Sequence, residues 1–167
     1  MTTYEVSAVA TVVGGHKHVL DDYQGGVQSI IRLHGSFPLE TLQGIEDFSH
    51  LEVIWRFHLA HPEDVVLHAR SPRGNPQWPA TGTFVHRNHR RPNQLAISKP
   101  RLLDVDGRDL LVTDLDAVDG TPLIDVMPYF EQMGPRGPFR QPAWTGEMLD
   151  PYYWADASKR PVEGEVR

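Results

Sequence analysis

Two short blocks concentrate the groups that suit binding of a small charged molecule: Arg87-Asn-His-Arg-Arg-Pro-Asn93 and Leu115-Asp-Ala-Val-Asp-Gly-Thr-Pro122. The first offers three guanidinium groups, His89 and Asn93 around Pro92, which removes a donor and favours extended geometry before it. The second sets Asp116 and Asp119 three residues apart, then Gly120 and Thr121, so a turn presents two carboxylates beside several backbone groups. Donors in one loop and acceptors in the other suit a zwitterionic or cationic ligand. Each block also has a plainer reading, as a hairpin turn and as a solvated basic loop. Nine histidines raise metal chemistry, through His16 with His18, His58 with His61 and His86 with His89. None of these pairs has the i, i+4 helical spacing of a metalloprotease, so no metal is expected. A serine hydrolase is disfavoured because the chain has no Gly-x-Ser-x-Gly elbow.

The elements that must position these loops read mostly as strands. Tyr4, Val6, Ala8, Ala10 and Val12 alternate with other residues and predict a first strand ending at Gly14-Gly15. A polar loop with Asp22, Tyr23 and Gln24 leads to a strand over Val27–Leu33, and Ser36-Phe-Pro-Leu-Glu40 predicts one or two helical turns ending at Gly44. Leu51–Leu59 is rich in β-branched and aromatic residues. Residues 60–80 carry Pro62, Pro72, Pro76 and Pro79 and read as a long loop. Thr81–His86, Gln94–Leu103, Asp109–Leu115 and Pro122–Tyr129 supply four further strands, with a hairpin turn at Asp106-Gly107. About seven short strands and one short helix predict a mainly β protein, a small closed barrel. No Gly-rich strand-to-helix turn of the dinucleotide-binding kind is present. Gly134–Pro142 is too rich in proline and glycine for a ladder and reads as an extended C-terminal arm. Its continuation, Trp144, Met148, Tyr152, Tyr153 and Trp154, must pack on the barrel or on a partner subunit.

At 167 residues the chain is read as one domain, residues 1–154, followed by a polar tail, 155–167. It has no cysteine, no basic-apolar leader and no apolar run near the length of a membrane span, so a soluble cytoplasmic protein without a membrane partner is expected. Sixteen Lys and Arg against 22 Asp and Glu give a formal net charge of −6, which argues against DNA binding or any nucleic-acid binding by global electrostatics. Contact with RNA has to be local. Arg70, Arg73, Arg87, Arg90 and Arg91, with His86 and His89, lie in a stretch free of carboxylates.

Taken together and in order, Thr81-Gly-Thr-Phe-Val-His-Arg87, Arg91-Pro-Asn-Gln-Leu-Ala-Ile-Ser98 and the run from Leu115 to Tyr129 resemble the TsaA-like (TrmO) family of S-adenosylmethionine-dependent β-barrel methyltransferases. Gly44–His58 and Pro135–Trp144 extend the resemblance to about residues 5–154. It implies S-adenosyl-L-methionine as cofactor, methylation of N6 of threonylcarbamoyladenosine in the tRNA anticodon loop, and a homodimer. The cofactor residues it implies are Asp22, Tyr23, Gln24, Phe57, His58, Leu59, Arg87, Ile97, Asp116, Ala117, Val118, Asp119, Gly120 and Thr121. Asp116 and Asp119 then accept from ribose hydroxyls or the ammonium, and Arg87 pairs with the methionine carboxylate. Arg70, Arg73, His89, Arg90, Arg91 and Asn93 are the implied acceptor-binding residues, and His86 and His58 the candidate bases. The chain departs from the family pattern at His86, at Ala96, which stands for a usual Gly, and at Met127, which stands for a usual Lys. These changes bear on the acceptor more than on the cofactor. A small-molecule acceptor and a non-catalytic cofactor-binding module are therefore the other two readings.

Overall fold

The computed structural model describes residues 2–154; the expected polar tail at 155–167 lies outside the described residues. Seven antiparallel strands form one sheet: β1 (Ala10–Val13), β2 (Gln28–Leu33), β3 (Leu51–Arg56), β4 (Leu95–Ser98), β5 (Arg101–Asp106), β6 (Asp109–Thr113) and β7 (Pro122–Pro128). Their order is β4-β3-β7-β1-β2-β6-β5. The period-2 pattern explains which face is buried. Ala10 and Val12 pair with Leu33 and Ile31, and these join Leu51, Val53, Trp55, Leu110, Val112 and Leu123 in a single core. Each large aliphatic side chain there contributes roughly 1.5–3 kcal/mol by leaving water. On the opposite face of β2 and β6, Arg32 meets Asp109 in register at 2.6 Å, an exposed pair that marks the alignment more than it strengthens it.

The hydrogen-bonded sheet has two ends, β4 and β5, so the closed barrel expected from the strand count is not formed by this ladder. The single strand expected over Gln94–Leu103 is divided at Lys99-Pro100, because proline has no N–H to give a neighbour. Around the break, Leu51 N–H reaches Pro100 O at 3.0 Å, Leu102 N–H reaches Ser49 O at 2.9 Å, and His50 bridges Arg101. Two bulges, between Ile54 and Trp55 and between Leu102 and Asp104, add local twist.

Other expectations need correction. The first strand begins only at Ala10; Tyr4 is 82% and Val6 62% exposed, so the alternation upstream has no apolar layer to face. Thr81–His86 is not a strand, because its extended neighbour is confined to one bridge, Arg70 to Thr81; Thr83–Val85 closes a 3-10 turn instead. The C-terminal arm is not wholly extended. After Pro142 it forms a short helix, α1 (Ala143–Leu149), which buries Trp144. A short 3-10 turn occupies Leu39–Leu42, within the expected Ser36–Gly44 stretch, and a second, Ile45–Asp47, follows Gly44 where the turns were expected to end. The β5–β6 hairpin turns at Gly107-Arg108, one residue later than expected, because Asp106 pairs with Asp109.

Candidate functional site

The chain between β6 and β7 lays down the acidic block. Leu115, Ala117 and Thr121 point into the core, at 2%, 1% and 0% exposure, and this alternation turns Asp116 and Val118 to the other side. The carboxylate of Asp116 is held from two directions. The Ser98 hydroxyl donates to one oxygen and the Tyr152 hydroxyl to the other. Ser98 is itself fixed, accepting from the Trp55 indole N–H at 2.8 Å. Arg87 donates from Nη2 to the carbonyl of Ile97 at 3.1 Å, next to Ser98. Burial, then Asp116, raises the phenols of Tyr152 and Tyr153 above their ordinary value, Tyr152 strongly, with the positive charge of Arg87 opposing the rise. A carboxylate, two phenols and a guanidinium thus share one locality.

Asp119 has a different task. Its carboxylate accepts from Gly14 N–H at 2.8 Å and its own N–H donates to His16 O at 2.8 Å, locking the turn after β1, where Gly14 has φ +77°. Gly120, at φ +81°, completes the bend. His58 stands over it: a Cβ at position 120 would lie 3.8 Å from Nε2, and Nδ1 lies 3.2 Å from the Thr121 hydroxyl. Phe57 packs edge-on to Trp55 and faces His89, while Leu59 and Ile97 are exposed.

The loop carrying Asp22, Tyr23 and Gln24 reaches this locality through the C-terminal segment. Tyr23 N–H and Gln24 N–H donate to the carbonyls of Pro151 and Tyr152, at 3.2 and 2.7 Å. Gly25 is pressed against the same segment, so closely that a Cβ would fall 1.9 Å from Tyr153 O. Arg73 grips Asp22 with two 2.8 Å bonds and caps Asp21 O at 2.9 Å. Trp78 ties the proline-rich loop to α1 through Glu147 at 2.9 Å.

The basic loop is less available than its composition suggests. Arg73 is committed to Asp22. Arg70 is drawn inward, donating to Asn88 Oδ1 at 3.1 Å, and burial followed by the charge of Arg90 pushes its guanidinium below its ordinary value. Arg91 donates to His86 O at 2.7 Å and lies 5.8 Å over the ring of Phe84, which is 76% exposed. Arg90 and Asn93 face solvent, and Asn93 lines a shallow cleft with Phe84, Arg91 and Leu95. His86 is buried; its Nε2 is 3.1 Å from both the hydroxyl and the carbonyl of Thr81. A carbonyl only accepts, so Nε2 carries the hydrogen and has no lone pair to offer.

Sequence reasoning did not single out Ser98, Trp55, Tyr152 or Tyr153 for the site. The Tyr152-Tyr153-Trp154 run reads as apolar surface, and only its hydroxyl groups hinted otherwise. Among the described residues, no group of three His, Asp or Glu side chains is placed to hold a metal ion.

The antiparallel seven-stranded architecture is shared with solved proteins. TrmO from Pseudomonas aeruginosa matches with a TM-score of 0.66 at 23% identity, covering 83% of this chain and 62% of that one, which speaks for the fold. A model of the tRNA-methyltransferase O N-terminal domain matches residues 21–134, and the chain belongs to that family. Over 103 residues it is 40% identical to a probable S-adenosyl-L-methionine-binding protein of Methanothermobacter thermautotrophicus, covering 60% of this chain and 71% of that protein. Over 92 residues it is 33% identical to the tRNA (adenine(37)-N6)-methyltransferase of Mus musculus, 55% of this chain. The chain spans only 21% of the length of that mouse protein.

Proposed function

We propose that this protein binds S-adenosyl-L-methionine at the Asp116 locality and catalyses methyl transfer, with N6 of threonylcarbamoyladenosine in tRNA as the leading acceptor. The observation that carries the reading is the fixed Asp116 carboxylate beside Arg87, in a family whose relatives are named for this cofactor and this reaction. The donor set fits the molecule. A carboxylate has about four acceptor positions, and the two hydroxyl groups on Asp116 leave room for a ribose hydroxyl or an ammonium. The Arg87 fork, with one bond to Ile97 O, has N–H groups left for a carboxylate. Phe57, Leu59, Ile97 and Val118 supply apolar surface for the adenine, Ala117 lies in the core beneath them, and Asp119, Gly120 and Thr121 hold the turn that frames it.

When bound, this cofactor supplies an electrophilic methyl group on sulfur, released to a nucleophile as the carbon–sulfur pair returns to sulfur. The chain's contribution is to bind, align and dry the reactants rather than to form a covalent link. For loss of the proton from the accepting nitrogen, His58 is the better candidate of the two histidines, being half-buried beside Gly120, whereas Nε2 of His86 is engaged by Thr81. Arg90, Arg91, His89 and Asn93 remain as the acceptor-binding set; Arg70 and Arg73 act as braces for the loop and for Asp22.

The engagement of Arg73 and Arg70 shrinks the basic surface of an acidic chain, and this favours a second reading, the same chemistry on a small acceptor. The bridge at His50–Arg101 supports completion of the sheet into a barrel across the Pro100 seam. Exposed Phe84, Val85, Met133 and Phe139 support a homodimer. We place the protein in the cytoplasm and treat residues 1–154 as one domain; no helix among the described residues is long and apolar enough to cross a membrane. The test is methyl transfer from labelled S-adenosylmethionine to bulk tRNA against a small-metabolite extract. Label in tRNA supports the first reading, label in metabolites the second, and no transfer despite binding indicates a non-catalytic module.

A further inference from the structure

We infer that Tyr152 is a positioning residue of the methyl-donor site: its hydroxyl, donated to Asp116, fixes the carboxylate that receives the donor molecule, and the segment 151–153 is the outer wall of that site. This rests on the methyl-donor reading above. The segment lies beyond residue 134, where the match to the family model ends. Its role follows from how Asp116 is held.

Trp55 N–H donates to Ser98, Ser98 donates to one oxygen of Asp116, and Tyr152 donates to the other. The first two groups stand on β3 and β4, at the core side. The third arrives from beyond α1. Held from both sides, the carboxylate loses its rotational freedom before any ligand arrives, and a preorganised acceptor binds more tightly than a free one. Burial and the adjacent carboxylate keep the Tyr152 phenol protonated across the physiological range, so it remains a donor.

The alternative, a plug that the ligand must push aside, predicts loose attachment. The segment is fastened instead. Two backbone bonds join it to Tyr23 and Gln24, Gly25 leaves no space between them, and the preceding helix is tied through Glu147 to Trp78. Arg87, the other charged group of the site, bonds to the carbonyl of Ile97, the residue before Ser98, whose hydroxyl shares the Asp116 carboxylate with Tyr152. Two stretches distant in sequence, at Ser98 and Tyr152, therefore meet at the oxygen pair of Asp116, with Trp55 behind the first and residues 23–25 behind the second.

The experiment is calorimetric titration of S-adenosylmethionine into wild type, Tyr152→Phe, Asp116→Asn and the double variant, with thermal melting of each. Phe keeps the ring and its packing, so Tyr152→Phe should melt close to wild type yet bind about tenfold more weakly, the effect of losing a hydrogen bond to a charged group. In the Asp116→Asn background the same change should cost less than about twofold, since the partner carboxylate is already gone. Equal losses in both backgrounds would reduce Tyr152 to packing, and unaltered or tighter binding by Tyr152→Phe would make it a bystander or a plug; either overturns the inference alone. A wild type that binds no S-adenosylmethionine overturns the methyl-donor reading, and this inference with it.

Discussion

Asp116 and Asp119 look equivalent on paper, two carboxylates on one turn, yet they face different work. Asp119 spends an oxygen on Gly14 N–H and holds the backbone, whereas Asp116 is braced by hydroxyl groups and keeps capacity for a ligand. Asp116→Ala or Arg87→Ala should therefore weaken S-adenosylmethionine about ten- to a hundredfold by calorimetry, the range for a lost charge-assisted hydrogen bond. Asp119→Ala should act chiefly through stability, seen as a lower melting temperature. The phenols give a pH signature. Tyr152 and Tyr153 have folded values raised above the ordinary 10.0, so their contribution to stability is complete below about pH 10 and is lost as pH rises through the folded values. Ultraviolet titration should show one of the five tyrosines, Tyr152, failing to ionise in the ordinary range while the fold persists, and Tyr152→Phe should flatten the alkaline fall in melting temperature. Asp116 and Arg87 were legible because charge at a turn is visible in one dimension. Tyr152 was not, because a hydroxyl on an aromatic some 36 positions downstream announces its partner only after the arm has folded back. The setting of His86 was hidden for the related reason that Thr81, five residues earlier, closes onto its Nε2 in a turn, where a strand was expected over Thr81–His86.

Among the elements, β2, β6 and β7 lie close to the stretches expected for them, and β3, expected over Leu51–Leu59 from its β-branched and aromatic residues, ends at Arg56; each has a core on one side. The pattern before Ala10 is just as regular, and nothing in a local pattern tells whether an apolar layer will be there to meet it. Pro100 was visible in the sequence, and its effect, to divide a strand into β4 and β5, follows from its missing N–H once both neighbours are known. The C-terminal arm was expected to pack, and α1 does so through Trp144. What composition hid was its destination, set by Gly25. Gly25→Ala inserts a methyl group where Tyr153 O already sits, so the segment 151–153 must move. We expect a loss of about 1–3 kcal/mol by denaturant melting, in the range for overpacking, together with faster proteolysis between Gly134 and Pro142. An unaltered melt and cleavage pattern would show that this contact is not required.

For the molecule as a whole, charge and assembly are the quantities to measure. The formal charge of −6 leaves little long-range attraction for a polyanion, and Arg73 and Arg70 are already engaged by the protein itself. Should tRNA be the acceptor, Arg90→Ala with Arg91→Ala should flatten the slope of log affinity against log salt by about two units, roughly one for each phosphate that is no longer neutralised, while S-adenosylmethionine binding barely changes. A salt-independent acceptor points to a small molecule. Sedimentation should give twice the 18.9 kDa chain mass at micromolar concentration; a mass near one chain contradicts the dimer.

The docking of Tyr152 and Tyr153 onto Tyr23, Gln24 and Gly25 also fixes an order in time. A chain is made from its N-terminus and leaves the ribosome in that order. The loop at 23–25 therefore emerges long before its partners at 151–153, and β1 and β2 must wait with that loop uncovered. The Asp116 carboxylate gains its second hydroxyl partner only once Tyr152 is free of the exit tunnel, so the proposed methyl-donor site is the last part of the fold to be assembled.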